Sequence, residues 1–145
     1  MSAAANRLLA FDFGLKRIGV AAGNRLTATA TPVTTLSPGA PLPWTAIDAL
    51  IAEWQPDLLV VGDPGPEADG RLRETLGEFL AGLGARSGLP VETVDESFSS
   101  AEAASRLRAG REKGLYNRRL KKDRIDRLAA CLIAEQWMNQ ALERN

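Results

Sequence analysis

Leu8-Leu9-Ala10-Phe11-Asp12-Phe13-Gly14-Leu15-Lys16-Arg17-Ile18-Gly19-Val20-Ala21-Ala22 is the stretch around which the chain is organised. Two apolar runs flank a Gly-Leu-Lys-Arg turn, which is the pattern of a β-hairpin, and the first run delivers a carboxylate, Asp12, just before the turn. A carboxylate inside an apolar strand is costly to bury alone, so it needs a proton, a polar partner or a cation. Which of these applies depends on the acids found further along.

The length of 145 residues matches one domain with a sizeable core, so a single domain over 1–145 is expected. Apolar residues at 45% and charged residues at 25% are ordinary for a globular protein, and no apolar run approaches the roughly 20 residues needed to cross a bilayer. Membrane association is therefore not expected. Met1 to Arg7 contains no basic segment followed by an apolar one, so nothing directs the chain to secretion. The single cysteine, Cys131, cannot form an internal disulfide, which favours a reducing cytoplasm. Histidine is absent, which excludes His-dependent triads, His zinc sites and imidazole acid–base chemistry. Carboxylates, lysines, hydroxyls and metals remain as catalytic parts.

The formal net charge is zero, but the charges are unevenly placed. Arg106, Arg108, Arg111, Lys113, Arg118, Arg119, Lys121, Lys122, Arg124 and Arg127 stand against only Glu112, Asp123 and Asp126 in the same segment. A solvated basic surface accounts for such a run, and so does contact with a polyanion such as nucleic acid.

Taken in order, the chain alternates strand-like and helix-like periods. Thr27 to Leu36, rich in Thr and Val with Pro32 inside it, reads as a third strand at or near an edge. After a Pro-rich loop, Trp44, Ile47, Leu50, Ile51 and Trp54 recur at helical spacing, and Gln55-Pro56-Asp57 ends that helix. Leu58-Leu59-Val60-Val61-Gly62 is continuously apolar, as a strand covered on both faces requires. A second helix begins near Arg71, with Leu72, Leu76, Phe79, Leu80 and Leu83 on one stripe, and Gly88 and Pro90 close it. Pro90 to Glu96 is a fifth strand ending in two acids, and Ser99-Ser100-Ala101-Glu102 has the spacing of a capping box that opens a third helix. Gly110 to Arg119 reads as a basic loop containing Tyr116. The last helix is expected from about Lys121, with Ile125, Leu128, Ala129, Leu132 and Ile133 as its buried stripe and Cys131 and Trp137 as packing residues.

Three hairpin-type strands followed by strands separated by helices predict an α/β fold with a mixed five-stranded sheet and helices on both faces. In open sheets of this kind the chemistry gathers at the carboxyl ends of the strands. Asp12 and the Asp95-Glu96 pair lie at or near such ends, and Asp126, near the start of the last helix, is the acid placed to meet them.

The opening Asp12-to-Ala21 motif, Val61-Gly62-Asp63-Pro64 with Asp69-Gly70, Val94-Asp95-Glu96, and Lys121-Lys122 through Ile125-Asp126 with Ala129-Ala130 resemble, in order and over nearly the whole chain, the YqgF/RuvX family. The resemblance implies a ribonuclease H-like fold and a metal-dependent nuclease, described in bacteria as processing the 5′ end of precursor 16S rRNA and in some members as a Holliday junction resolvase. It also implies that Asp12, Glu96 and Asp126 are the metal-binding catalytic acids. Two positions depart from the family pattern. Ser97 stands where an Arg usually follows the Asp-Glu pair, which removes a phosphate contact or an ion pair, and Asp63 stands where an apolar residue is usual. Asp63 reads as a turn residue, given the Pro and Gly that follow.

The chemistry suits that reading. Phosphodiester hydrolysis needs an activated water, neutralised phosphate oxygens and a stabilised leaving oxygen, which two divalent ions roughly 4 Å apart supply. Hard carboxylate oxygens favour Mg²⁺ or Mn²⁺. Asp95 competes with Glu96 for the middle position. Arg118, Arg119, Lys121 and Lys122 are candidates for binding the nucleic-acid backbone, and Lys16 and Arg17 at the hairpin tip either contact phosphates or serve solubility. Tyr116 offers a ring for stacking on an unpaired base. The expected partner is precursor rRNA, with branched DNA as the alternative and ribosome precursors as the setting; the expected state is a monomer or a weak homodimer. Two other classes fit parts of the pattern. A non-catalytic RNA-binding assembly factor is compatible with Ser97, and actin-like ATPases also begin with an Asp-x-Gly hairpin but need a second domain for which 145 residues leave no room.

Overall fold

The computed structural model describes residues 6–39, 42–65, 68–95 and 118–143, the last segment with side chains from 127 to 140. Five strands, β1 (Arg7–Phe13), β2 (Ile18–Asn24), β3 (Thr29–Leu36), β4 (Leu58–Asp63) and β5 (Val91–Asp95), form one sheet in the order β3-β2-β1-β4-β5. The helices are α1 (Trp44–Trp54), α2 (Gly70–Ser87) and α3 (Arg118–Glu143). β2 is antiparallel to β1 and β3, whereas β4 lies parallel to β1 and β5 parallel to β4. The mixed sheet expected from the order of the elements is therefore present.

Side-chain alternation divides the sheet into two faces. Leu9, Phe11 and Phe13 of β1, Ile18 and Val20 of β2, and Leu59 and Val61 of β4 join Ile47 of α1 and Leu76, Phe79 and Leu83 of α2 in one core. Leu8 and Ala10 of β1 and Leu58 and Val60 of β4 instead meet Ile133, Ala134, Trp137 and Met138 of α3. Helices thus cover both faces, which is why β1 and β4 carry unbroken apolar runs rather than an alternation.

Local chemistry sets the boundaries. α2 starts where the Asp69 carboxylate accepts the Arg71 N–H at 2.7 Å, and ends where Gly88, at φ 69°, returns its N–H to the Gly84 carbonyl. α1 ends at Gln55, which takes a left-handed φ of 46° and donates its N–H to the Ile51 carbonyl. β3 is an edge strand whose register with β2 shifts between Val20 and Ala21, next to Pro32, which has no N–H to give a ladder. At the far end of the sheet the Asp57 carboxylate accepts the backbone N–H groups of Arg7 at 2.9 Å and Asn6 at 3.0 Å, and Asp57 N–H donates to the Arg7 carbonyl. These bonds tie the start of β1 to the start of β4.

Two expectations need correction. Arg118 and Arg119 are helical and belong to α3 rather than to the preceding loop. Neither residue opposes helix, and a single turn is too short to show an apolar period. The buried arc of α3 is also wider than the stripe expected: Ala130 and Ala134 are buried alongside Ala129, Leu132 and Ile133, whereas Leu128 is only half-buried; Cys131 and Trp137 pack as expected. The helix expected from Ser99 and the loop residues up to 117 lie outside the described residues.

Two outcomes test this packing. A Cβ at Gly82 would collide with the Trp44 ring, which stacks on Phe79 at a centroid distance of 5.8 Å, so Gly82→Ala should cost about 1–3 kcal/mol in a urea unfolding titration. Bonds from the backbone N–H of Arg7, and then of Asn6, hold the Asp57 carboxyl below its ordinary value. A lowered folded-state pKa stabilises above the ordinary carboxylate range and is lost as pH falls through the folded value. The stability gap between the wild type and Asp57→Ala should therefore be wide at pH 7 and narrow markedly by pH 3 in parallel unfolding titrations.

Candidate active site

Asp12 sits at the carboxyl end of β1, half-buried, with Gly19 of β2 as its register partner. Its position in the alternation matches Leu8 and Ala10, so it belongs to the α3 face of the sheet. Phe11 pairs with Val61 on the other side, and the next residue of β4, Gly62, lies on the same α3 face as Leu58 and Val60. Glycines therefore flank Asp12 on both neighbouring strands. The turn that follows is equally specific. Gly14 N–H donates to the Arg17 carbonyl at 3.0 Å, and a Cβ on Gly14 would stand 2.9 Å from that oxygen, closer than real side chains come.

The structure separates the other acids. Asp63 and Asp95 are register partners at the ends of β4 and β5, on the α2 face, opposite in parity to Asp12. Asp63 accepts the Gly65 N–H at 2.8 Å, which is the turn role its neighbours predicted. The parity of Asp95 removes it as a same-face partner of Asp12. Glu96, Ser97 and Tyr116 lie outside the described residues. Asp126 lies on α3, whose backbone is described there, one turn before Ala129 and Ala130. Among the described residues no group of three or more Cys, Asp or Glu side chains converges.

The donor chemistry at Asp12 fits a hard divalent cation. Its oxygens are the ligand class of Mg²⁺ and Mn²⁺, and the sequence offers no imidazole while its one thiol is buried in the core. Of the basic candidates, Lys16 is exposed at the hairpin tip and Arg17 is half-buried. Arg118, Arg119, Lys121 and Lys122 fall within the first two turns of α3.

Two residues of α3 take part that sequence reading passed over or read as packing only. The Gln136 amide donates to the Asp95 carbonyl at 2.9 Å, and the Trp137 indole N–H donates to Glu92 Oε1 at 3.0 Å. Both bonds tie the helix that carries Asp126 to the strand that runs into Glu96. Their only signal in the sequence is a polar residue on an otherwise apolar helix face, which does not identify a partner forty positions away.

Residues 6–140 match the family described as "RuvX: Holliday junction resolvase". The chain belongs to the RuvX family. Among RuvX relatives, the "Putative pre-16S rRNA nuclease" of Legionella pneumophila (strain Paris) is 44% identical over 136 residues, covering 92% of this chain and 95% of the relative. Its namesake in Haemophilus ducreyi is 42% identical over 140 residues, covering 93% and 97%. Among solved structures, T. thermophilus RuvC in complex with a Holliday junction substrate superposes with a TM-score of 0.59 at 14% identity, covering 94% of this chain and 96% of RuvC. The Fowlpox virus resolvase with its Holliday junction DNA gives a TM-score of 0.61 at 14% identity, covering 94% and 99%. The RuvX chain thus has the ribonuclease H-like fold. No helix among its described residues is long and apolar enough to cross a membrane.

In this RuvX chain Gln136→Leu preserves volume and deletes the bond to the Asp95 carbonyl, worth about 1 kcal/mol. Amide hydrogen exchange at Val94 and Asp95 should quicken by about fivefold, with exchange in the core of β1 unchanged.

Proposed function

We propose that this chain is a divalent-metal-dependent endonuclease that hydrolyses phosphodiesters in the 5′ region of precursor 16S rRNA, acting as a single domain in the cytoplasm. The observation that carries the reading is the placing of Asp12: a half-buried carboxylate at the carboxyl end of the central strand, flanked by Gly19 and Gly62 and lying under α3. The names of relatives at 40–44% identity supply the substrate class.

Asp12, Glu96 and Asp126 are the residues that would hold Mg²⁺ or Mn²⁺. Asp12 contributes from a strand end, where the ladder with β2 fixes its backbone, and Asp126 from a helix whose following turn carries the small residues Ala129 and Ala130. Because Asp95 lies on the opposite face, Glu96 is the member of the pair assigned to the site. When bound, the ions supply an activated water and offset charge on the phosphate. Lys16 and Arg17 at the hairpin tip and Arg118, Arg119, Lys121 and Lys122 at the start of α3 serve the nucleic-acid backbone, a role for which Arg and Lys are the usual donors.

A second reading has an observation of its own. The family description and two superposed resolvases both concern Holliday junctions, so a four-way DNA junction is the alternative substrate. Paired incision of a junction needs two active sites, which a weak homodimer would provide.

The test is cleavage of precursor 16S rRNA and of a synthetic four-way junction in parallel, each with Mg²⁺, with Mn²⁺ and with EDTA. Cleavage of the rRNA that EDTA abolishes is expected. Asp12→Asn should lower turnover by at least about a thousandfold with the thermal unfolding midpoint within a few degrees of the wild type, since the swap removes only the charge. Undiminished cleavage by Asp12→Asn would overturn the metal assignment, and cleavage of the junction alone would favour the second reading.

A further inference from the structure

At the same carboxyl edge of the sheet, but on the α2 side, lies a cavity of about 420 Å³. Phe13 and Leu15 of the hairpin, Leu42 of the loop before α1, and Arg71, Thr75 and Glu78 of α2 line it. Phe13 is the residue after Asp12 and points to the opposite face, so the cavity and the carboxylate stand on either side of one strand end. The size falls within the range of about 300–1,000 Å³ in which small-molecule sites are found.

The lining is chemically mixed in a way that narrows the ligand. Leu15 is one of two large apolar side chains left exposed among the described residues, at 41%, and with Phe13 and Leu42 it makes an apolar wall. Arg71, exposed in the first turn of α2, offers a guanidinium, and Glu78, two turns on, offers a carboxylate. Thr75 stands between them on the same face of α2 and bonds the Arg71 carbonyl at 2.8 Å, so its hydroxyl is already engaged. A bare anion would meet Glu78 as well as Arg71. An apolar ring system with donors and acceptors on its edge, attached to a single phosphate, satisfies all three kinds of wall.

We propose that this cavity holds one unpaired nucleotide of the substrate strand, next to the bond presented at Asp12, with the base against Leu15 and Phe13, its edge toward Glu78 and its phosphate toward Arg71. The inference rests on the nuclease reading for the identity of the strand. The occupant is a single base because about 420 Å³ between the side chains of α2 and those of the hairpin takes one base with its phosphate and not a duplex. It assigns Leu15, exposed at a turn where a polar residue is usual, a ligand to cover it.

The experiment separates binding from cleavage. A single-stranded RNA hexamer carrying one 2-aminopurine is titrated, in EDTA, with the wild-type chain, with Thr75→Trp, which fills the cavity, and with Leu15→Ser, which alters only an exposed side chain. Circular dichroism confirms the fold of each. A change in 2-aminopurine emission on binding the wild type is expected, lost in Thr75→Trp together with about a tenfold rise in Kd, the scale of one base contact, and weakened in Leu15→Ser. Unchanged emission with the wild type, or equal Kd for all three proteins, would overturn the proposal. Precursor-rRNA cleavage in Mg²⁺ is measured alongside. An emission response without cleavage would leave the nucleotide site standing and remove the nuclease reading, whereas cleavage unaffected by either variant would do the reverse.

Discussion

Burial of β1 on both faces is the constraint on which the rest of the molecule depends. Leu8, Leu9, Ala10 and Phe11 are each within 1% of full burial, and they feed two separate cores. At about 25 cal/mol per Å² of apolar surface removed from water, a strand of this kind stabilises the fold only if both layers of helices are present. That requirement positions α1 and α2 on one side and α3 on the other. It also makes the end of β1 the first place where a polar side chain can emerge, and Asp12 occupies it.

The pleat then sorts the described acids by face. Asp12 is on the α3 face, whereas Asp63 and Asp95 oppose one another on the α2 face, although all three lie along one edge of the sheet. Three carboxylates within a few ångströms would repel one another unless a cation lay between them, so splitting them over two faces lowers that cost. On one face Asp12 stands between glycines of β2 and β4. On the other face Asp63 spends its charge on a backbone N–H of the turn. The alanines of α3 serve the same geometry: Ala130 packs on Ala21 of β2 and Ala134 joins the core over β1 and β4, so small side chains let the helix lie close to the sheet.

Attachment of α3 is not purely apolar. Gln136 and Trp137 bond to Asp95 and Glu92, so the helix is fixed along its axis as well as against the face. Apolar packing alone permits sliding by fractions of a turn, whereas a hydrogen bond tolerates only a few tenths of an ångström. A second polar tie, Asp57 to the backbone of residues 6 and 7, holds the opposite end of β1 against β4. The carboxylate-bearing end of the sheet is thereby held in register from both directions.

Much of this was legible in the residues. The strand–turn–strand at 8–22, the helical spacing of Trp44 to Trp54, the apolar run at 58–62 and the stops at Gln55 and Gly88 follow from local pattern, because backbone preference and side-chain periodicity act over a few positions. The ordered motifs also sufficed to recognise the family, which the match over residues 6–140 bears out. What local pattern could not supply was which face each strand end turns to the helix that crosses it. The competition between Asp95 and Glu96, the glycine at position 62 standing beside Asp12, the bonds of Gln136 and Trp137, and the cavity between the hairpin and α2 all depend on pairs forty or more positions apart or on parity across a sheet. The first turn of α3 eluded the sequence for a related reason: it carries no apolar period. By itself, then, the sequence determined the elements, their order and the carboxylate at the end of the central strand. The tertiary structure alone decided that Asp63 and Asp95 turn away from that carboxylate's face, because facing is set by strand register and helix packing between distant segments rather than by neighbours along the chain.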